Sequence, residues 1–579
     1  MMKLQEIVLL SPEQKQDAEL YYKVQGKIEH EEKEILLQPR NRISFCTYFN
    51  SFSIKKWREY TKNEDYKVCV KGKGKAKVFL VESYMEQEIV KTHYIFESIF
   101  DFGDGKVCSI EIPKEVKRGI CYLELEATEE VFVLQEGWYE GQCEKRENVR
   151  IAIDICTFKR EAYVQRNLRV LSEKLLKNTK SLCFGNVEVF ISDNAGTLEQ
   201  NTDSYAHVRI YKNNNAGGVG GFTRGILEAM KEKEKPFTHM LLLDDDAIIE
   251  PASIEKTYCL LVTLKEKYYN SLVGGSLLRQ DMEKVQYELG AKWNRGRLVA
   301  NKGQLDMSKL RNLLLNEEDE ATEYTGWWYT CIPMENIRKE GLPLPLFIHR
   351  DDVEYGLRAG KKDFILMNGI GVWHEAFENK VPGVNEYYDW RNLVIVNSIH
   401  YSDYSKKELK KFLLKWVTAN IIRCRYQYAK LNVKGVEDFL KGVDWLKEQD
   451  PVQLHQDLGK LNYSMKSIQE FQGYQGLQSK ELEWKRVLEN DCSRKNGILV
   501  ATPMPSIYKL MTANKILYVD STEKAFLAVR SFRETIKCYK SLWKLYKNIE
   551  KNFEWAKKEY RDRYKELTTV EFWNRYLDL

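Results

Sequence analysis

The chain has 579 residues, 43% hydrophobic and 30% charged, and its 90 basic against 85 acidic side chains leave a formal charge of +5. That length implies roughly three or four domains, and the composition is globular, not disordered or membrane-spanning. The near balance of charge excludes a broad nucleic-acid footprint, so any anionic partner has to be met locally.

No apolar run reaches the roughly 18 residues of a membrane-crossing helix, and the opening MMKLQEIVLLSPEQKQD turns polar too soon for a signal peptide, so the expected location is cytoplasmic. The 12 cysteines form no CxxC pair. Cys143, Cys156 and Cys183 lie near apolar strands and are expected as reduced, buried thiols. The 34 tyrosines and 13 tryptophans would suit stacking on sugar rings, but they equally fill cores.

Residues 1–147 read as short alternating runs, among them ISFCTYF, YKVCVKGKGKAKVFLVES, VCSIEIP, CYLELEAT and EVFVLQEGWY. Period-two alternation with turn residues between runs predicts an antiparallel β-sandwich, jelly-roll-like. Two roles stay open for it: a docking or acceptor-handling module, and a purely structural appendage.

From Asn148 strands alternate with helices. Val149–Cys156, Val187–Ser192 and His207–Tyr211 read as strands, with helices over Ala162–Lys177 and Phe222–Glu232, a βαβ succession that implies a largely parallel sheet. Ligands bind at the carboxyl ends of such strands. The loops there hold Thr157, Phe158, Lys159 and Arg160, then Asp193–Thr197, then NNNAGGVGGFTRG, in which Gly217, Gly218, Gly220 and Gly221 precede a helix and let backbone amides approach an anion. A dinucleotide fingerprint belongs after the first strand, not the third, and the first loop lacks the glycine-rich basic segment of a nucleotidyltransferase.

The next strand runs into Asp244, Asp245 and Asp246. Two readings are open for the triplet alone. It caps the helix that starts near Pro251, or it holds a divalent cation of the hard type, manganese or magnesium. Further on, Ser253–Lys267 reads as helix and Leu272–Leu278 as strand; residues 300–322 read as a mobile acidic segment. Leu344–His349 reads as a strand ending in Arg350, Asp351 and Asp352, and Phe364–Val372 as a strand ending in Trp373, His374 and Glu375. Caps have no need of a histidine and paired carboxylates recurring on one sheet edge, and together these favour a metal-dependent active site.

From Asn385 onward the pattern is helical, over Tyr388–Tyr401, Lys407–Ala429, Val436–Glu448 and Thr522–Glu566. The last stretch carries Trp543, Tyr546, Phe553, Trp555 and Tyr560. It is either an amphipathic helix at a membrane surface or, as is more usual, a packing face.

The segments TFKR and DNAGT, the NNNAGGVGGFTRG loop, LLLDDD, GWW at Gly326–Trp328, LPLFIHRDDVEYGLRAG, VWHEAF, and Arg391 with Asn392 resemble the inverting GT-A glycosyltransferases of the galactofuranosyltransferase group, the family 2 type that includes the polymerising enzymes of mycobacterial galactan. TYFNSFSIKKW extends the resemblance into the N-terminal module. It implies an α/β GT-A (Rossmann-like) catalytic domain over 148–397, flanked by the sandwich domain at 1–147 and a helical C-terminal region at 398–579. It implies a UDP-sugar donor, UDP-galactofuranose first among candidates, and a glycan or lipid-linked glycan acceptor in cell-surface polysaccharide synthesis.

By the same resemblance Asp244, Asp246 and His374 bind the metal and Asp352 is the catalytic base. Asp351, Trp327 and Trp328 hold the acceptor. Arg160, Asp193 and Asp244 fall at donor positions, which Thr157 and Gly218 join from their loops. There are departures: His349 and Arg350 stand where relatives often carry lysine and tryptophan, and Tyr388 with Asp389 where a histidine is common. Another nucleotide sugar on the same fold, pyranosyl or rhamnosyl, and a non-catalytic glycan-binding scaffold are the alternatives. No nucleic-acid partner is expected; peripheral contact at the inner face of the membrane and a homo-oligomer stay open.

Overall fold

The structure is a computed structural model and describes residues 1–10, 16–31, 34–199, 205, 207–361, 363–471, 492–495, 498–501, 510–511 and 513–579. The chain divides into two compact units. One comprises Met1–Asn213, Arg224–Glu340 and Gly356–His374; the other comprises Asn214–Thr223, Gly341–Tyr355 and Glu375–Leu579.

The first unit begins with a nine-stranded antiparallel sheet. Its spine is Asp65–Glu86, which pairs with Ile89–Ile112, Ile120–Ala127 and Phe132–Gln142. The expected alternation is there: Phe132–Gln142 switches between buried and half-buried residues along its length. Phe52 stacks at 5.5 Å on Trp57 and at 4.6 Å on Tyr139 inside it. All nine strands join into one hydrogen-bonded sheet, with register shifts along the spine that bend it.

This β-rich region packs into the rest of its unit through buried polar bonds. Tyr48 Oη meets Ser276 Oγ at 2.6 Å, and Tyr21 Oη donates to Glu250 Oε2 at 2.6 Å. Lys56, on the helix Ile54–Tyr60, donates to the carbonyl of Asn316 at 2.8 Å, while Glu317 accepts from Ser53 at 2.8 Å and from Asn368 at 2.7 Å. Asn316 and Glu317 have no exposed surface and lie on the helix Leu310–Glu317, which corrects the reading of 300–322 as mobile. Acidic composition suggested solvent, but the Glu317 carboxylate and the Asn316 carbonyl bridge to the N-terminal region.

The second sheet of this unit is built from β1 (Ile151–Thr157), followed by helix α1 (Glu161–Leu171), β2 (Val187–Asp193), β3 (Val208–Lys212), helix α2 (Gly217–Lys231), β4 (His239–Asp244), helix α3 (Pro251–Thr263), β5 (Leu272–Arg279), β6 (Thr330–Pro333) and β7 (Phe364–His374). Strands run in the order β3-β2-β1-β4-β6-β5. The first four are mutually parallel, β6 is antiparallel to β4, and β7 pairs in parallel with β5. Helix α2 starts at the glycine run itself, earlier than the predicted Phe222.

The second unit holds helix α4 (Asp351–Tyr355) and then helices α5 (Asn385–His400) and α6 (Lys406–Ile422), Tyr426–Phe439, Gly442–Glu448 and Pro451–Gly459. Helix α7 (Phe532–Arg563) and Val570–Leu577 close it. The C-terminal region is mainly helical, as expected, with two corrections. Lys407–Ala429 breaks at Arg423–Arg425, where Cys424 has φ +58°. A five-stranded sheet interrupts the helices, so Lys524–Val529 is a strand and α7 begins only at Phe532. Asp520 Oδ1, accepting from the amides of Thr522 and Lys524, closes the hairpin turn that excludes helix there.

A third correction concerns Leu344–His349, which is not a strand. Pro343 and Pro345 remove amide donors from it. Asn392 Nδ2 instead donates to the carbonyls of Leu346, Ile348 and His349 at 2.8–2.9 Å. The aromatic stripe of α7 also divides: Phe553 and Tyr560 are buried, Tyr546 is half-buried, and Trp543 and Trp555 are exposed. No disulfide forms among the cysteines whose side chains are described.

Candidate active site

Strand β4 is buried on both faces, Met240 to Leu243 having no exposed surface, between parallel β1 and antiparallel β6. It stops where the sequence turns acidic, with Asp244 level with Cys156 of β1. The helix that follows is capped by Glu250, whose carboxylate accepts from the Ala252 amide, with Pro251 in the first turn. The aspartate triplet is therefore free of the capping role.

Ile248 and Ile249 pair antiparallel with Trp373 and Val372 of β7, a two-residue stitch that sets His374 beside the triplet. His374 Nε2 lies 3.0 Å from Asp246 Oδ1 and 3.8 Å from Asp244 Oδ2. One ligand atom from each of the three residues falls within 4.8 Å of the others. The imidazole side is closed and the Asp244 side open, with side-chain exposures of 5% and 36%. Two carboxylates and one imidazole converging on a half-open site suit a divalent cation such as manganese or magnesium, with positions left for other oxygens. Burial, reinforced by the like charges of Asp246 and Asp245, pushes the Asp244 carboxyl up to about 6, against the pull of His374.

Asp245 takes a different direction. Its Oδ2 accepts from Thr157 Oγ1 at 2.7 Å and its Oδ1 from Arg160 Nη1 at 2.9 Å, while its carbonyl accepts from Asn167 Nδ2 at 2.9 Å. Arg160 also reaches Asp246 Oδ2 at 2.8 Å, and Arg166 Nη2 donates to the carbonyls of Asp246 and Ala247 at 3.2 and 2.7 Å. The loop after β1 and the start of α1 thus grip the acidic turn. Of these residues, Thr157 and Arg160 were expected at the site as donor ligands, whereas Asn167 and Arg166 were missed. Two adjacent polar residues midway along the first crossover helix were the available signal.

Asp193, at the end of β2, organises its own loop: Oδ1 accepts from the amides of Ala195 and Gly196 at 3.0 and 2.9 Å, and Oδ2 from Leu198 at 2.7 Å. One strand residue went unnoticed in the sequence. Asp154 of β1 is fully buried, neither of its oxygens has a hydrogen-bond partner, and burial raises its carboxyl well above the usual range. Gly225 leaves room for it, since a Cβ there would come within 2.1 Å of Asp154 Oδ1.

Trp327 and Trp328 are each only 6% exposed, and the Trp328 indole N–H donates to the Gly275 carbonyl at 3.2 Å. Little of either indole faces solvent, where the sequence suggested an open platform.

Gly218, Asp351 and Asp352 belong to the second unit. Gly217 has φ +78° and packs so tightly on the Phe347 carbonyl that a Cβ would lie 2.0 Å from its oxygen, whereas Gly218 opens onto free space. Asp351 and Asp352 begin α4 and are half-buried. Burial, and then the neighbouring Asp352, push Asp351 up to about 7; burial also raises Asp352. The preceding backbone is strained, with Phe347, His349 and Arg350 at φ +71°, +65° and +68°. Helix α5 holds it: Asp389 Oδ1 meets His349 Nδ1 at 2.9 Å and Arg350 Nη2 at 3.0 Å, and the Asn385 side chain meets His349 Nε2 at 3.2 Å. Buried Glu354 is tied to His400 at 3.2 Å.

Residues 4–141 match the family model described as Galactofuranosyltransferase 2 N-terminal. Galactofuranosyltransferase GlfT2 of Mycolicibacterium smegmatis is 26% identical over 432 residues, covering 70% of this chain and 65% of that protein. GlfT2 of Mycobacterium tuberculosis is 26% identical over 431 residues, covering 69% and 66%. The chain therefore matches just under two thirds of the length of each relative. The resemblance read from the motifs is borne out, and the chain is similar to galactofuranosyltransferases of the GlfT2 type.

Proposed function

We propose that the protein is a metal-dependent, inverting GT-A glycosyltransferase that moves galactofuranose from UDP-galactofuranose to a growing cell-surface polysaccharide or glycolipid. The observation that carries this reading is the convergence of Asp244, Asp246 and His374 at the end of the central strand. The similarity to GlfT2 supplies the sugar, and the four parallel strands with crossover helices support a Rossmann-like catalytic domain over 148–397 between the 1–147 and 398–579 regions.

Asp244, Asp246 and His374 would hold a divalent cation, manganese or magnesium, which would offset the charge that develops on the leaving diphosphate. Thr157 and Arg160 fix the loop after β1, Asp193 shapes the loop after β2, and Gly218 offers backbone to the donor. Asp352 takes the proton of the acceptor hydroxyl as the anomeric carbon becomes cation-like, and a single base opposite the leaving group gives inversion. Asp351 stands beside it, its carboxyl pushed up by burial and by the neighbouring Asp352. Trp327 and Trp328 hold the acceptor. The reaction is assigned to the cytoplasmic side.

Incubation of the full chain with UDP-galactofuranose, manganese and a lipid-linked galactofuranosyl acceptor should release UDP, and a panel of UDP- and TDP-sugars reads donor choice. Asp352→Asn should keep the thermal shift given by UDP with manganese and lose transfer. Glycan binding indifferent to metal and nucleotide, with no turnover of any sugar nucleotide, would instead establish a glycan-binding scaffold.

A further inference from the structure

Strand β7 ends on His374, and a break in its register decides where that residue lies. β5 and β7 run in parallel and pair Leu272 with Phe364, Val273 with Ile365 and Gly274 with Leu366; pairing resumes at Ser276 with Gly371 and continues to Arg279 with His374. Between the two ladders β5 has one residue, Gly275, and β7 has four, Met367 to Ile370, so β7 bulges by three extra residues. An unbroken first register would set Gly371 opposite Arg279. His374 would then lie about 10 Å farther along and, because the insertion is odd, on the opposite face of the sheet.

A bulge of this size takes main-chain carbonyls out of the ladder inside the core, where each needs a donor. Side chains supply them. Lys256 Nζ donates to the Asn368 carbonyl at 2.8 Å, Ser253 Oγ meets the Gly369 and Gly371 carbonyls at 3.3 and 3.1 Å, and Tyr48 Oη donates to the Ile370 carbonyl at 3.1 Å. Lys56 Nζ holds the Leu366 carbonyl just before the bulge. Ser253 and Lys256 are three residues apart and share one face of α3. Tyr48 also meets Ser276, where pairing resumes. Gly369 has φ +74°, and a Cβ there would lie 3.2 Å from Lys256 Nζ. Lys56 and Lys256 are each 2% exposed and form no ion pair among the described residues. Burying an ammonium group in this way is costly, and packing alone would be met by an apolar chain of the same length.

We infer that Lys256 is a positioning residue for His374: with Ser253 and Tyr48 it clamps the bulge of β7, and the clamp sets the imidazole against Asp244 and Asp246. The inference rests on the reading of those three side chains as a cation site. Beyond the bulge β7 lies between β5 and the pair Ile248–Ile249, which follows the aspartate turn directly. Two residue pairs make a short ladder, so the clamp has to fix the register from the other end. A slip of β7 would part His374 from both carboxylates at once.

The test measures manganese binding by the full chain without sugar nucleotide, using titration calorimetry and the electron paramagnetic resonance of the bound ion. Loss of a residue that orients a metal ligand typically weakens affinity by about ten- to a hundredfold. Lys256→Met keeps the chain length, loses the donor, and should weaken manganese binding by about tenfold or more and alter the spectrum of the ion that still binds. Tyr48→Phe and Ser253→Ala each remove one hydroxyl and should act in the same direction by less; they carry the test if Lys256→Met does not fold. Leu123→Ala, in the buried core of the first sheet, should lower the melting temperature and leave manganese affinity unchanged. Asp246→Ala should abolish binding. Wild-type affinity and spectrum in the clamp variants would overturn the inference and leave the cation site standing. So would an equal loss in Leu123→Ala, because affinity would then follow stability alone. Manganese bound no more tightly by wild type than by Asp246→Ala would remove the cation site itself, and this inference with it.

Discussion

Removing the Asp389 carboxylate should release the strained backbone that leads into the Asp351–Asp352 pair. Asp389 Oδ1 receives both His349 Nδ1 at 2.9 Å and Arg350 Nη2 at 3.0 Å. Burial alone would raise the acid, but Arg350 and His349 outweigh it and hold it down to about 2. Against an unfolded value near 3.9, that depression is worth about 2.6 kcal/mol, fully present above roughly pH 4 and lost as the pH falls toward 2. The other side of the pair has the opposite sign. Burial disfavours the imidazolium of His349, yet Asp389 raises its pKa above the ordinary value. Its contribution is therefore present below about pH 6.5 and fades as the pH rises through the raised value. Asn385 can accompany both states, because its carboxamide can turn oxygen or amide toward Nε2.

Asp389→Asn should consequently cost about 2 kcal/mol at pH 5.5 and less at pH 9, read by denaturant unfolding. His349→Asn is the milder partner substitution, since asparagine tolerates the left-handed backbone and keeps a donor near the Nδ1 position. A double-mutant cycle should return a coupling of about 1 kcal/mol or more at pH 5.5 that shrinks at pH 9. If Asp352 is the base, Asp389→Asn should also lower kcat with little change in donor KM. A stability loss that is the same at both pH values, or a coupling near zero at pH 5.5, would refute the reasoning.

Three further outcomes are expected. Asp246→Ala or His374→Ala should abolish the manganese-dependent thermal shift, whereas Asp245→Ala should keep a shift that needs more manganese and weaken UDP binding by roughly tenfold to a hundredfold, because Thr157 and Arg160 lose their anchor; titration calorimetry separates the two. Chelation followed by manganese or magnesium should restore both the shift and turnover, and restoration by monovalent ions alone would count against the metal set. Asp154→Asn should gain on wild type as the pH rises: the folded carboxyl is raised, so wild type loses about 1.4 kcal/mol per pH unit above roughly pH 4 until the folded value is passed. Parallel stability profiles for the two proteins from pH 5 to 8 would show that the acid is not held neutral.

Much of the frame was legible because it depends on local pattern. The uninterrupted run MLLL demands a strand buried on both faces, and the succession of β1, α1, β2 and β4 follows from period and turn residues alone. What escaped depended on partners far away in the chain. LPLFIH has the composition of a strand, but Pro345 within it and Pro343 just before it deny it a ladder, and Asn392 supplies donors to its carbonyls from α5. Residues 316 and 317 look like a solvated acidic turn until Lys56, Ser53 and Asn368 surround them. The departures at His349, Arg350 and Asp389 looked like separate substitutions; they are one ion-paired group, and a charge at one position gives the reason for charge at the others.

The aspartate triplet divides at the end of the strand. Asp244 is the last residue of β4, and Asp245 and Asp246 lie in the turn after it, so the three carboxylates are not held to one direction. Asp244 and Asp246 converge with His374, while Asp245, at 5% exposure, needs donors. The parallel neighbour β1 ends at the same level, so the first polar side chains after it, Thr157 and Arg160, are the donors in reach. Arg160 then bridges Asp245 to Asp246 and couples the two halves. The consequence is that the loop following β1 takes part in fixing the metal carboxylates, so substitutions at Thr157 should disturb cation affinity even though threonine offers the cation nothing.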